Sequence, residues 1–172
     1  MKVDAGVGHK LGSIPDQVRS LEALGYDGIH TAETNHDPFF PLLLAAEHSK
    51  KLELATSIAV AFARSPMNLA NIGHDLNAYS RGRFTLGLGS QIKPHITKRF
   101  SMPWGAPAAQ MRELVQAMRA IWANWYEGEA LHHDGKYYNH TLMTPAFTPE
   151  NTEYSAPKVT LAAVGPVMTE VA

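Results

Sequence analysis

The side chains best able to move protons fall in one short stretch, Glu33-Thr34-Asn35-His36-Asp37-Pro38. A histidine titrates near neutral pH, and a carboxylate beside it can hold its tautomer. Glu33 and His36 are therefore the candidates for general acid–base chemistry. Asp37 with Pro38 has a second reading, because an aspartate cap followed by proline also starts helices. Gly165-Pro166-Val167-Met168 precedes an expected helix start. Its free backbone N–H groups would suit an anion such as a phosphate, and an ordinary turn has the same pattern. Lys93, Lys98 and Arg99 either add charge toward such a group or stand as solvated surface. The histidines form no metal motif: His132-His133-Asp134 is contiguous, and His30, His36, His48, His74 and His95 show no HExxH-like spacing. No metal site is expected.

These groups need elements to carry them. Val3 to Val7 is apolar and short, a first strand, with Gly6 to His9 leading into a loop. Ser13-Ile14-Pro15-Asp16 opens a helix whose apolar face is Ile14, Val18, Leu21 and Leu24, and Gly25 closes it. Asp27 to Ala32 is a second strand, and Leu52 to Phe62 reads as a longer third. Ser65-Pro66 starts a helix that ends at Gly82. Arg83-Phe84-Thr85-Leu86-Gly87-Leu88-Gly89 is a fourth, buried strand. Gly87 and Gly89 would let a ligand or another strand come close, and Ser90 and Gln91 bring hydrogen-bonding groups to its C-terminal end. Gly87-x-Gly89 is a poor dinucleotide fingerprint, because Ile92 stands where a third glycine belongs.

Strand starts recur about every 25 to 30 residues, which predicts a parallel sheet with right-handed crossovers. A basic, aromatic insertion at about 92–107 breaks the rhythm. A helix from about 108 to 126 follows, with a stripe from Met111 to Trp125 that belongs to the core. A hairpin at about 129–139 turns at Asp134-Gly135, and Lys158 to Val164 is a fifth strand. In a parallel α/β fold, ligands bind at the C-terminal ends of the strands. The loops at 8–12, 33–38, 90 onward and 165–168 would therefore share one face.

Hydrophobic residues make up 45% of the 172, enough for one sizeable core, and the formal charge of −1 argues against nucleic-acid or anionic-membrane partners. Without cysteine, disulfides and thiolate metal sites are excluded. No apolar run approaches the roughly 18 residues of a membrane span. Met1-Lys2-Val3-Asp4 carries no signal-peptide apolar region. The expectation is a cytoplasmic protein forming one domain over 1–172.

Gly82-Arg83 followed by Leu86-Gly87-Leu88-Gly89 resembles the hallmark of the luciferase-like monooxygenase superfamily. Glu-Thr-x-His-Asp-Pro, Leu-Gly-Leu-Gly-Ser-Gln and Phe-Ser-Met-Pro-Trp together resemble its deazaflavin (coenzyme F420)-dependent oxidoreductases. That resemblance implies a TIM-barrel-type (β/α) fold with parallel strands, about five of eight βα units being present. It implies hydride transfer between a small-molecule substrate and coenzyme F420, with an FMN-dependent monooxygenase as the alternative. Glu33 matches the family's acidic position. Thr34 stands where histidine is usual, and His36 lies two residues further on. The resemblance places a non-prolyl cis peptide and a bulge at Ser57-Ile58, behind the cofactor ring. The implied cofactor contacts are Thr34, Ser57, Ile58, Ala59, Ser90, Gln91 and the loop of Gly165, Pro166, Val167 and Met168. The implied substrate contacts are His95 and Trp104, the latter either walling a pocket or packing on the rim. A barrel typically has about 250 residues. Five strands would leave edges and an apolar face open, with Ile58, Val60, Leu86, Leu88 and Leu161 on it. Association through that side, as a homo-oligomer, is the expectation. A non-catalytic flavin-binding or partner-binding half-barrel is the reading from another class.

Overall fold

The computed structural model describes residues 1–150 and 153–172. Its sheet contains β1 (Asp4–Gly6), β2 (Gly28–Thr31), β3 (Glu53–Thr56), β4 (Ala59–Val60) and β5 (Phe84–Gly89), and β8 (Lys158–Leu161) joins it after the small hairpin described below. Every pairing in this sheet is parallel: β1 with β2, β2 with β3, both β3 and β4 with β5, and β5 with β8. The helices are α1 (Ile14–Ala23), α2 (Phe39–His48), α3 (Pro66–Tyr79), α4 (Pro107–Glu127) and α5 (Pro166–Val171). β6 (His133–Asp134) and β7 (Asn139–His140) form the expected hairpin. Among the described residues no helix is long and apolar enough to cross a membrane.

The third strand differs from its expected form. Leu52 to Phe62 is not continuous: β3 and β4 are separated by Ser57 and Ile58, and a 3-10 turn takes Ala61–Ala63. Leu54 pairs with Phe84 and Ala55 with Thr85, but Ala59 pairs with Leu88, so one extra residue is accommodated on the β3–β4 side. That is the signature of a bulge. The Ser57–Ile58 peptide bond is cis.

Side-chain parity corrects the expectation of an exposed apolar face. Val60, Leu86 and Leu88 are fully buried. Ile29, Leu54 and Phe84 share one register row and are also buried, under the helices. Leu86 reaches toward Gly73 of α3. The opposite face carries His30, Ala55, Thr85 and Lys158, none of which is buried. Because successive residues alternate faces, the apolar members of β5 all point to the helix layer. Thr85, Gly87 and Gly89 are left on the inner side.

Arg83 explains why an arginine follows the helix-ending Gly82, whose φ is +77°. Its Nε donates to Ser80 O at 2.7 Å and its Nη1 to Leu52 O at 2.7 Å. Nη1 also meets Ser49 Oγ, and Nη2 donates to Ala46 O and Ser49 O. One guanidinium thereby satisfies carbonyls at the C-terminal ends of both α2 and α3 and ties them to the start of β3. Burial pushes the Arg83 pKa down, and Glu22 opposes that push.

Candidate active site

The bulge is held from three sides. Thr56 is buried, and its Oγ1 donates to Gly87 O at 2.7 Å while accepting from Gly87 N at 2.9 Å. The threonine hydroxyl thus replaces the ladder bonds that the bulge interrupts. Ser57 N donates to Thr31 O at 2.6 Å, and Glu33 N donates to Ile58 O at 3.0 Å, which locks the bulge to the exit of β2. The two glycines of β5 fit this packing. A Cβ on Gly87 would lie 1.9 Å from the Thr56 carbonyl oxygen, and one on Gly89 would lie 2.8 Å from the Ile58 side chain. The close approach that Gly87 and Gly89 permit is therefore that of the neighbouring strand. Ser57 is exposed and Ile58 half-buried at the C-terminal end of the sheet, while Ala59 is buried behind them.

Beside the bulge the Glu33–Pro38 loop divides into two sides. Glu33 is turned inward, its side chain 6% exposed, and Oε2 accepts from Arg64 Nη1 at 2.6 Å and from Val60 N at 2.7 Å. Arg64 Nη2 reaches Asp37 Oδ2 at 3.1 Å, and Asp37 Oδ1 caps α2 by accepting from Phe39 N at 2.8 Å. Thr34, Asn35 and His36 face outward and are exposed. The His36 ring lies 5.4 Å from the ring of His9, which comes from the loop after β1. Thr34 Oγ1 donates to Asn35 Oδ1 at 3.0 Å and lies 3.5 Å from His9 Nε2. His9 Nδ1 is buried and has no partner among the described residues. Arg99 Nη2 donates to Thr34 O at 2.6 Å and pins the insertion to the same loop.

The structure thus joins Glu33, Thr34, His36, Ser57 and Ile58 in one neighbourhood at the strand ends. The other candidates stand apart from these contacts. Ser90 Oγ donates to Gln91 O, and Gln91 Oε1 accepts from Ile92 N, with Gln91 in the left-handed region at φ +60°. Gly165, Pro166 and Val167 are exposed at the start of α5, and Met168 packs on the core. His95 is exposed at the start of a π-helical turn, His95–Arg99. Trp104 is half-buried, edge-on to Phe62 at 5.8 Å. His9 and Arg64 were not singled out from sequence. His9 had a signal, its place just after the first strand; Arg64 had none, because the bulge decides which way it points.

Parallel βα units with a bulged third strand, and polar loops gathered at the strand ends, define a barrel-type α/β scaffold. The family model for luciferase-like monooxygenases matches residues 2–172, and the chain belongs to that family. An uncharacterised protein of Mycobacterium tuberculosis (strain H37Rv) is 57% identical over 170 residues, covering 99% of this chain and 50% of its own length. The chain thus spans about half the length of this curated relative. Coenzyme F420-dependent tetrahydromethanopterin reductase from Methanopyrus kandleri superposes with a TM-score of 0.76 at 19% identity, over 99% of this chain and 52% of that one. The oxygenating constituent of 3,6-diketocamphane monooxygenase from Pseudomonas putida, solved with FMN, gives 0.76 at 16% identity, over 94% and 51%. These structural likenesses establish the fold, a TIM-barrel-type α/β architecture of which this chain supplies about half.

Proposed function

We propose that the protein is a coenzyme F420-dependent oxidoreductase that passes a hydride between the deazaflavin and a small organic substrate. The observation that carries this is the Ser57–Ile58 bulge, presented at the strand ends between the His9/His36 pair and the Gly89 end of β5. The residues present fit a flat ring. Ile58, half-buried, offers an apolar surface, and exposed Ser57 offers a hydroxyl. When bound, the deazaflavin would supply the hydride acceptor or donor at its C5.

The chain supplies the rest. Thr56, Thr31 and Glu33 hold the bulge through the bonds above, so the ring platform is fixed before anything binds. His36, exposed and next to His9, gives or takes the proton that accompanies hydride transfer at the substrate oxygen. The His9 ring stands 5.4 Å from that of His36. Glu33 is a positioning residue, its carboxylate already engaged by Arg64 and the Val60 amide. The three co-occurring motifs favour F420 over FMN. Titration of the protein with each cofactor is the test. A saturable F420 fluorescence change with a dissociation constant of about micromolar or tighter, undisturbed by FMN, is expected. Tight FMN binding with oxygen-dependent turnover would move the protein to the monooxygenases, and no response to either would refute the reading.

A further inference from the structure

A cavity of 240 Å³ lies beside the proton-transfer loop, walled by Phe62, Arg64, Trp104, Gln110, Tyr137 and Tyr138. Its walls come from the segment after β4, the insertion, α4 and the hairpin, and they are fixed. Glu113 Oε1 accepts from both Tyr137 N, at 2.6 Å, and Tyr138 N, at 2.7 Å. Gln110 Oε1 accepts from Gly105 N at 3.2 Å. Gly105 is required there, since a Cβ would lie 2.5 Å from the Tyr137 ring. An apolar cavity of about 150 Å³ accepts benzene, so this one has room for a ring with a short substituent.

The polar groups decide what kind of ring. Tyr138 Oη accepts from Gln110 Nε2 at 3.2 Å, and Tyr137 Oη accepts from Ala106 N at 3.4 Å. Neither phenol O–H has an acceptor among the described residues, so each has a proton to donate. Burial pushes the Tyr138 pKa up, which keeps it a donor. Arg64 is no anchor for an anion, because Glu33, Asp37 and Val60 O already take its fork. Arg64 also sets the distance to the chemistry: it binds Glu33, whose amide binds the bulge at Ile58.

We infer that this cavity is the subsite for the non-reacting end of the substrate, and that it takes a neutral aromatic ring bearing an acceptor oxygen, the chemistry of an aryl ketone or ether. Calling the ligand a substrate rests on the oxidoreductase reading; binding itself needs no cofactor. Acetophenone, ethylbenzene and benzoate are titrated into the cofactor-free protein by calorimetry, and F420 is titrated into the same samples so that the two ideas fail separately. Acetophenone is expected to bind saturably, and ethylbenzene, lacking one hydrogen bond, roughly tenfold more weakly. Benzoate should bind no better than ethylbenzene. Tyr138→Phe should bring acetophenone to the ethylbenzene level, and Trp104→Ala should remove binding. Tyr138→Phe keeps the backbone bonds to Glu113, so its fold is retained, and circular dichroism checks this. Absent acetophenone binding, equal binding of acetophenone and ethylbenzene, or binding unchanged in both variants would each overturn the inference.

Discussion

Thr56→Val asks whether a side chain stands in for a stretch of sheet. Valine has the shape of threonine, so the substitution leaves packing intact and removes only the hydroxyl. Thr56 Oγ1 serves both the carbonyl and the amide of Gly87, and both residues are buried. The bulge keeps the Thr56–Ile58 backbone from taking over those two groups. Each buried backbone group left without a partner costs about 1–3 kcal/mol, and the extra buried methyl returns about 1 kcal/mol. The net loss is about 1–5 kcal/mol. For a chain of this size 1 kcal/mol moves Tm by about 2–4 °C, so a fall of roughly 2–20 °C is expected. Thr56→Ser is the control: it keeps both hydrogen bonds and loses one methyl, at a cost of about 1 kcal/mol. Thermal unfolding and urea titration of the three proteins read the order. A valine variant as stable as the serine variant, or more so, would show that the hydroxyl does not hold the bulge.

Arg83→Met should cost about 2–4 kcal/mol in urea unfolding, because carbonyls at the ends of α2 and α3 lose their shared donor; Arg83→Lys should recover only part, since one ammonium cannot reach them all. His74 is buried against Tyr126, 2.8 Å from its hydroxyl, and burial holds its pKa below the usual 6.5 although Asp75 opposes this. The unfolded chain then binds the extra proton, so stability is complete above about pH 6.5 and falls as pH drops toward the folded-state pKa. His74→Gln should flatten that slope in pH-dependent urea midpoints without removing it, because His140 is shifted down by burial in the same way. His36→Ala should slow turnover by roughly 10²-fold with unfolding unchanged, whereas Glu33→Gln should lower stability by about 3 kcal/mol by breaking the buried pair with Arg64. Equal stabilities for these last two variants would refute the division of roles in the loop.

Much of the fold was legible because βα repetition writes itself into the chain. Ser65-Pro66 does cap and start α3, with Ser65 Oγ accepting from Asn68 N at 3.2 Å, and Gly82 in the left-handed region follows its end. The third strand was legible only in part. An unbroken run of apolar and β-branched residues carries no mark of an interruption at Ser57–Ile58; that came from the motif resemblance. Parity was misjudged for Val60, Leu86 and Leu88, since a strand that alternates leucine with glycine reads as buried without saying on which side. The candidate loop of Glu33, His36 and Asp37 stood out where chemistry and spacing coincide, and Asp37 does cap α2. Arg64 and the Tyr137–Tyr138 walls did not stand out, because their roles depend on a bulge and a hairpin that local pattern does not position.

The Glu33–Pro38 loop shows why a cluster of ionisable residues need not act as one. Five polar side chains in a row must point somewhere, and the exit of β2 offers two environments. One lies against the segment between β4 and α3, where Arg64 supplies a fork with donors at fixed positions. Glu33 and Asp37 are four residues apart and occupy its two terminal nitrogens, from Oε2 and Oδ2. The segment between them is then forced outward as an arch, which is where Thr34, Asn35 and His36 sit. The charged ends hold the shape, and the neutral-to-basic crown is left free to meet His9 across the strand ends. His36 stands at the far side of the arch, and Thr34 carries a hydroxyl 3.5 Å from His9 Nε2.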